Sequence, residues 1–213
     1  MSDWRTTDPV ILTPILAAAK TSFHARGFHG TSTRDIASRA GVSLPTLYYH
    51  HENKEGILLA VLISAMESAL ARVSAAIDDG DDPREQFANG IEAVVLHMTA
   101  DQELAASEGE IRYVETDNPL RRKYIDMRAS LESQLDDVLR RGIADGCFQI
   151  DGDVKNMLRY LLGACRSAAD WYRPDGPLTP ADVAASYVEI SLRAVGASLD
   201  LLKSLNHQES EKR

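Results

Sequence analysis

The sequence has little of what marks several other classes of protein. Only two of its 213 residues are cysteine, Cys147 and Cys165, and neither has a second cysteine or a histidine at metal-knuckle or redox-dithiol spacing. We expect both to be reduced, partly buried thiols. No apolar run approaches the roughly 18 uninterrupted residues of a membrane-spanning helix. The first residues also lack the layout of a signal peptide, so we expect a cytoplasmic protein with no membrane partner.

Catalytic and metal-binding motifs are lacking as well. The sequence has no glycine-rich nucleotide loop, no Gly-x-Ser-x-Gly turn and no Glu-x-x-His pair. His50 and His51 have no His or Cys three or four residues away, and the acidic stretch 78–82 lacks the spacing of a calcium loop. We therefore expect no enzymatic activity, no metal and no cofactor.

Positive charge is scarce overall, and the formal net charge is −9. Residues 1–52 nevertheless hold five basic and four acidic residues, so the negative charge lies almost wholly in the rest of the chain. Phosphate binding depends on local charge. An acidic body behind a near-neutral N-terminal part would orient the molecule on DNA.

Apolar residues, 44% of the chain, recur at three- and four-residue spacing almost throughout, which predicts an all-α fold of about nine helices. We divide it into a helix-turn-helix domain at 1–53, a ligand-binding and dimerisation domain at 54–205, and a polar tail at 206–213. The first helix is expected from near Pro9 to Gly27, and a long one from Lys54 to Ile77. The others are expected at 34–40, from Ser43, and at 84–100, 103–116, 119–145, 153–172 and 180–204.

Residues Thr31 to Lys54 have the pattern of a helix-turn-helix. Capping hydroxyls precede the first short helix, Gly41 closes it, and Ser43 caps a second helix with Pro45 in its first turn. In this geometry one helix lies against the DNA backbone and the next enters the major groove, which is about 12 Å wide.

The expected DNA contacts divide by role. Phosphate contacts are expected from Thr31, Thr33 and Arg34, and backbone-facing positions from Tyr48, His50 and Lys54. The candidates for base edges are Ser43, Leu44, Thr46 and Tyr49. No Arg or Lys lies on this helix, so sequence specificity must come from apolar, hydroxyl and shape contacts.

This segment resembles the tetracycline-repressor (TetR) family, through Gly30–Ala37, Gly41–Ser43, Thr46–His50 and Lys54-Glu55. The resemblance implies a homodimer on a palindromic operator. In each subunit the C-terminal domain, or body, binds a small molecule, which lowers DNA affinity by changing the separation of the two helix-turn-helix domains, or heads. The resemblance further implies that Tyr48 and Lys54 contact phosphate and that Thr46 and Tyr49 read sequence. The chain departs from the family at His51, usually Phe, and at Leu44-Pro45, commonly a Lys-Gly-like pair.

The resemblance also implies that the last two helices form the dimer interface, and both are rich in small residues. Packing within one subunit is the alternative. The candidate interface residues are Ala164, Ala168, Val183, Tyr187, Ile190 and Ala194.

Residues 166–179 resemble the same region in TetR-type regulators that sense acyl-CoA thioesters of fatty-acid or steroid breakdown. Such an effector needs cations for its phosphates and an apolar tunnel for its acyl part. Each of these features also has a structural alternative, in which residues 121–123 are only a solvated helix start, the methionines only pack in the core, and Trp171-Tyr172 only caps the dimer helices. For the protein as a whole, the alternatives are an efflux regulator that senses an apolar drug or free acid, and a helical scaffold. The candidate cations are Arg121, Arg122, Lys123, Arg128 and Arg166, and the candidate lining residues are Leu96, Met98, Tyr113, Met127, Leu131 and Trp171.

Overall fold

The structure, a computed structural model, describes residues 3–6 and 10–197. Within these ranges the chain forms nine α-helices and one 3₁₀ helix, without a strand, which confirms the predicted all-α fold. The predicted polar tail at 206–213 lies outside the described residues. The elements are α1 (Pro14–Gly30), α2 (Thr33–Ala40), α3 (Leu44–His50), α4 (Lys54–Asp78), α5 (Pro83–Ala100), α6 (Gln102–Ser107), the 3₁₀ helix η1 (Glu108–Tyr113), α7 (Pro119–Ala144), α8 (Val154–Trp171) and α9 (Pro180–Ala194).

The ends of α2, α3 and α4 form as their sequences predict. Ser32 and Asp35 make a reciprocal capping box at the start of α2, and Gly41 ends that helix with φ 68° in the left-handed region. Ser43 accepts the N–H of Thr46 at the start of α3. Asn53 accepts the N–H of Gly56, 2.8 Å away, at the start of α4. These caps fix where each short helix begins and therefore which side chains α3 displays.

Helix α1 differs from the prediction at both ends. It begins at Pro14, because the Thr13 side chain accepts the N–H of Leu16 and caps the helix there. Gly27 has φ 68° and interrupts the helix, which then resumes for one turn. That last turn places the Phe28 ring in the core, 5% exposed and 5.8 Å from the ring of Phe23.

Helix α4 connects the three N-terminal helices to the body. By length and composition alone it is long and apolar enough to cross a membrane. In this fold it is instead a core helix, with twelve buried residues that pack against α1 at one end and against α5 and α7 at the other. A displacement of α4 would therefore move the body relative to the helix-turn-helix domain, which we call the reading head.

Two predicted helices are shorter than expected. The segment 103–116 divides into α6 and η1, where Gly109 weakens the α-helix and Glu108 turns towards Arg166. Helix α9 ends at Ala194 rather than near residue 204. Gly196 there has φ 68°, and the carbonyl of Val195 accepts the N–H of Gln149 at 2.9 Å, so the chain leaves the helix to pass close to another segment.

Both cysteines are free thiols, but the predicted partial burial is wrong for Cys165. Cys165 on α8 is fully buried, and burial raises the pKa of its thiol to about 12. Cys147, between α7 and α8, is half-buried. Only Cys147 is therefore open to solvent in part.

Candidate DNA-reading surface and effector cavity

Helix α3 is anchored on one side and displays side chains on the other. Leu47 is fully buried and fixes α3 against the core. Thr46, Tyr49 and His50 are exposed, and Tyr49 has 85% of its surface open to solvent with its ring 5.2 Å from the imidazole of His50. An apolar anchor opposite a polar and aromatic face is what a groove-reading helix requires.

A second group of side chains joins α3 to the start of α2. The hydroxyl oxygens of Thr33 and Tyr48 lie 3.0 Å apart and share a hydrogen bond, and Tyr48 remains 46% exposed. Arg34 beside them is exposed. Hydroxyls, a cation and the N-terminus of α2 thus lie together, the arrangement expected for phosphate contacts.

Thr31 was predicted to contact phosphate, but the structure contradicts this. Its side chain is 2% exposed, and its hydroxyl oxygen lies 2.9 Å from the carbonyl oxygens of both Ser22 and Gly27. Thr31 instead closes the interrupted end of α1. Its hydroxyl is not available to DNA.

Lys54 has partners within the protein that its sequence position did not indicate. Its Nζ donates to the carbonyl oxygens of Phe28 at 2.7 Å and Thr31 at 2.9 Å, and it lies 4.4 Å from the centre of the Phe28 ring. The ammonium thus holds the start of α4 to the end of α1 and satisfies two carbonyls there. Only the third N–H of the ammonium group remains for the predicted phosphate contact.

The remaining predicted DNA residues are partly engaged. Ser43 Oγ accepts the backbone N–H of Thr46 and lies 2.7 Å from Thr46 Oγ1, so its hydroxyl serves the helix cap. Leu44 is half-buried against the core. His51, at the family's usual Phe position, is also half-buried, and burial lowers the pKa of its imidazole, which favours the neutral ring.

The body contains a cavity of about 320 Å³ between α4, α5, α7 and α8. Four predicted effector residues line it, namely Met98, Arg128, Leu131 and Arg166. Its remaining lining residues are Met66, Ala69, Val73, Val94, His97, Glu108, Glu132, Arg159, Leu162 and Gly163.

Charged side chains form a cluster on the wall of this cavity. Glu108, at the start of η1, lies 3.5 Å from Arg166 Nε, and its side chain is 10% exposed. Burial raises the pKa of Glu108, while the positive charges of Arg166 and Arg128 act against that rise. With Arg159 and Glu132 the cavity wall holds three arginines and two glutamates, so cations exceed carboxylates.

Seven predicted effector residues do not line the cavity. The Tyr113 ring stacks on Phe28 with centroids 6.1 Å apart, and Trp171 is 43% exposed and donates from Nε1 to the Tyr187 hydroxyl at 3.2 Å. Sequence reasoning also missed His97, Glu108 and Arg159. The spacing of Arg159, Leu162, Gly163 and Arg166 along α8 was a usable signal, because residues three and four apart share a helix face. The other predicted residues outside the lining are Leu96, Arg121, Arg122, Lys123 and Met127.

Helix α6 and η1 connect the cavity wall to the N-terminal helices. Glu108, at one end of η1, faces the cavity, and Tyr113, at its other end, contacts Phe28 and also His29, with ring centroids 4.4 Å apart. Beside α6, Lys20 Nζ lies 2.6 Å from the Asp101 carboxylate. A shift of α6 and η1 would therefore change their contacts with α1.

Two of the predicted dimer residues are buried within the subunit. Ala168 is fully buried and Val183 is 2% exposed, so both pack in the core rather than across an interface. Ala164, Tyr187 and Ala194 are half-buried. Ile190 on α9 is 61% exposed, and Tyr160 on α8, which was not predicted, is 71% exposed.

Comparison with known proteins gives matches over both parts of the chain. The family model described as "Bacterial regulatory proteins, tetR family" matches residues 15–61, and that described as "Tetracyclin repressor-like, C-terminal domain" matches residues 80–195. The HTH-type transcriptional repressor KstR2 of Mycobacterium tuberculosis is 31% identical over 192 residues, covering 85% of this chain and 90% of KstR2.

Solved structures give the same result for the fold. The ketosteroid transcriptional regulator KstR2 of M. tuberculosis superposes with a TM-score of 0.76 at 26% identity, covering 92% of this chain and 96% of KstR2. The TetR-family regulator PfmR of Thermus thermophilus also has a TM-score of 0.76, at 30% identity, covering 85% of this chain and 98% of PfmR. These relatives are transcriptional regulators, not enzymes. The chain belongs to the TetR family of bacterial DNA-binding transcriptional regulators.

Proposed function

We propose that the protein is a cytoplasmic homodimeric repressor that an acyl-CoA thioester of fatty-acid or steroid breakdown releases from a palindromic operator. The observation that carries this proposal is the cavity, whose apolar walls from α4 and α5 meet a cluster of arginines from α7 and α8. A cavity of about 320 Å³ lies at the small end of ligand sites, so it takes the acyl part, while the phosphates of the nucleotide stay outside and bind the exposed Arg128, Arg159 and Arg166. The similarity to KstR2, described as a ketosteroid transcriptional regulator, supports a steroid-linked effector.

The DNA-binding half of the proposal rests on α2 and α3. Thr33, Arg34 and Tyr48 hold phosphate, and Thr46 and Tyr49 meet base edges in the major groove. The proposal includes the domain division 1–53 and 54–205, with residues up to 53 forming the reading head and α4 beginning the body. Two heads must meet half-sites about 34 Å apart, or a multiple of that distance, so a small displacement of α4 suffices for release.

The contacts between cavity and head supply a route for that displacement. Glu108 pairs with Arg166 across 3.5 Å. The anionic part of an acyl-CoA competes for the same arginine and frees Glu108, which moves η1. Because Tyr113 at the other end of η1 packs on Phe28 and His29, the movement reaches the end of α1, where Lys54 holds α4.

A gel shift with added effectors tests the proposed function. DNA selected by the protein from a random pool should contain a palindrome, and decanoyl-CoA or a steroid-derived acyl-CoA should release it at moderate salt. Coenzyme A alone should not, because it lacks the acyl part. Selection of no DNA would overturn the regulator function. Release by free acids or drugs, without release by any CoA ester, would favour the alternative of an efflux regulator.

The proposed dimer interface makes a separate prediction. Ile190 exposes 61% of its surface on α9, so Ile190→Asp should weaken dimerisation by roughly tenfold to a thousandfold, because each subunit loses apolar burial and gains a desolvated carboxylate. Sedimentation velocity over a dilution series measures this. The matched control is Ile125→Asp on α7, where isoleucine is 39% exposed. Equal effects of both variants would place the interface elsewhere.

A further inference from the structure

His97 is a polar side chain on an otherwise apolar stretch of α5. It follows Val94, Val95 and Leu96, precedes Met98, and is only 9% exposed. Its imidazole lines the cavity, and within the described residues no protein group hydrogen-bonds to it. A buried polar group without a protein partner is destabilising unless a ligand or a water molecule satisfies it. The His97 nitrogens are not among the sealed side-chain atoms of the described residues, so a ligand in the cavity can reach them.

The imidazole is neutral and separate from the arginine cluster. Burial and, to a smaller extent, Arg72 together lower the pKa of His97 to about 4, while Asp101 acts in the opposite direction. His97 is 9% exposed, whereas Arg128, Arg159 and Arg166 are exposed, so the imidazole lies deeper in the cavity than the arginines do. A neutral imidazole offers one N–H donor and one lone-pair acceptor, which suits an uncharged oxygen better than a carboxylate.

The cavity thus has two polar regions joined by apolar walls. One holds the arginines and Glu108, where the proposed function places the anionic part of the effector. The other is His97, flanked by apolar side chains such as Val73 and Val94. Resting on that proposed function, we infer that His97 recognises an uncharged oxygen, a hydroxyl or a carbonyl, on the part of the acyl group that lies deepest in the cavity.

The physical basis of this selectivity is an asymmetry. A plain hydrocarbon chain buries the imidazole without a hydrogen-bond partner, whereas an oxygen-bearing chain satisfies it. A site built to hydrogen-bond a ligand discriminates strongly against an analogue that lacks the group. His97 would therefore separate oxygenated acyl groups from simple saturated ones.

Calorimetric titration with matched CoA esters tests the inference on the full-length protein. The probes are the octanoyl, decanoyl and dodecanoyl esters, each beside its ω-hydroxy counterpart. At one or more chain lengths the hydroxylated ester should bind about 5- to 30-fold more tightly. His97→Phe should reduce that preference to near unity while keeping affinity for the plain ester, and His97→Gln should retain part of it.

Met98→Leu is the matched control, because it changes the neighbouring cavity wall without a hydrogen bond and should affect both esters of a pair equally. Thermal unfolding checks that each variant folds. If His97→Phe does not fold, the loss of preference is measured with His97→Gln instead. Equal affinities within every pair, or a preference that persists without the imidazole, would overturn the inference and leave the proposed function intact. Binding of no CoA ester would overturn both.

Discussion

Tyr49→Ala is expected to weaken binding to the operator by roughly 30-fold to 10⁴-fold while leaving binding to unrelated DNA almost unchanged. The ring is 85% exposed on the outward face of α3, so its removal does not disturb the core. A base contact contributes about 1–3 kcal/mol of discrimination, and a dimer on a palindrome makes each contact twice. Fluorescence anisotropy with selected and scrambled DNA at one fixed salt concentration measures both affinities.

Two further variants show what kind of contact Tyr49 makes. Tyr49→Phe separates the ring from the hydroxyl, because it keeps an apolar ring that can contact a thymine methyl and removes only the hydrogen-bonding group. Arg34→Ala should instead lower affinity for both DNAs, since a phosphate contact carries no sequence information. If Tyr49→Ala weakened binding to both DNAs equally, the residue would be a backbone contact and the reading assigned to it would be wrong.

Arg166→Met should raise the acyl-CoA concentration needed for DNA release by roughly tenfold to a hundredfold, with Arg128→Met acting in the same direction. A charge-assisted hydrogen bond contributes about 1.5–3 kcal/mol, and methionine keeps the apolar part of the side chain. The Arg166 side chain is 48% exposed, so solvent screening places the expected loss towards the lower end of that range. Gel-shift titration with the releasing ester gives the value.

The arginine prediction has a matched control and an opposite counterpart. Arg140→Met also removes an arginine from α7, but Arg140 pairs with Asp136 outside the cavity lining, so the response should not change. Glu108→Gln removes the carboxylate that competes with an anionic effector for Arg166, so release should require less ester. An identical response from Arg166→Met and Arg140→Met would exclude a direct role for the cavity arginines.

The reading head could largely be predicted from the sequence because its determinants are local. Ser32, Gly41 and Ser43 each act on residues within a few positions of themselves, through a cap or a positive φ. The start of α4 at Lys54 follows in the same way from the Asn53 cap. Such short-range rules fix the helices and therefore the outward placement of Thr46 and Tyr49.

Thr31 and Lys54 show where local reasoning fails. Both fit a phosphate-contacting pattern, yet their polar atoms bind carbonyl oxygens of the interrupted end of α1. Nothing near either residue in the sequence indicates that α1 resumes after Gly27. The competing partners lie more than twenty residues away from Lys54, and only the packed fold brings them together.

The sequence predicted the chemical character of the cavity but only some of the residues that line it. Arginines and apolar residues were expected, and Arg128, Arg166 and Leu131 are present. Four separate helices and η1 build the wall, so membership depends on how those helices rotate about their axes. The sequence pattern alone does not determine that rotation, which is why Trp171 was expected inside and lies on the surface.

The scarcity of cysteine makes the protein well suited to site-directed labelling. Cys165 is sealed in the core with a thiol that stays protonated at neutral pH, so Cys147→Ser would leave almost no background reaction. A cysteine introduced at the exposed Ser38 of α2 would then carry one spin label per subunit. Pulsed electron paramagnetic resonance on that dimer would report the spacing between the two reading heads directly, before and after an effector is added.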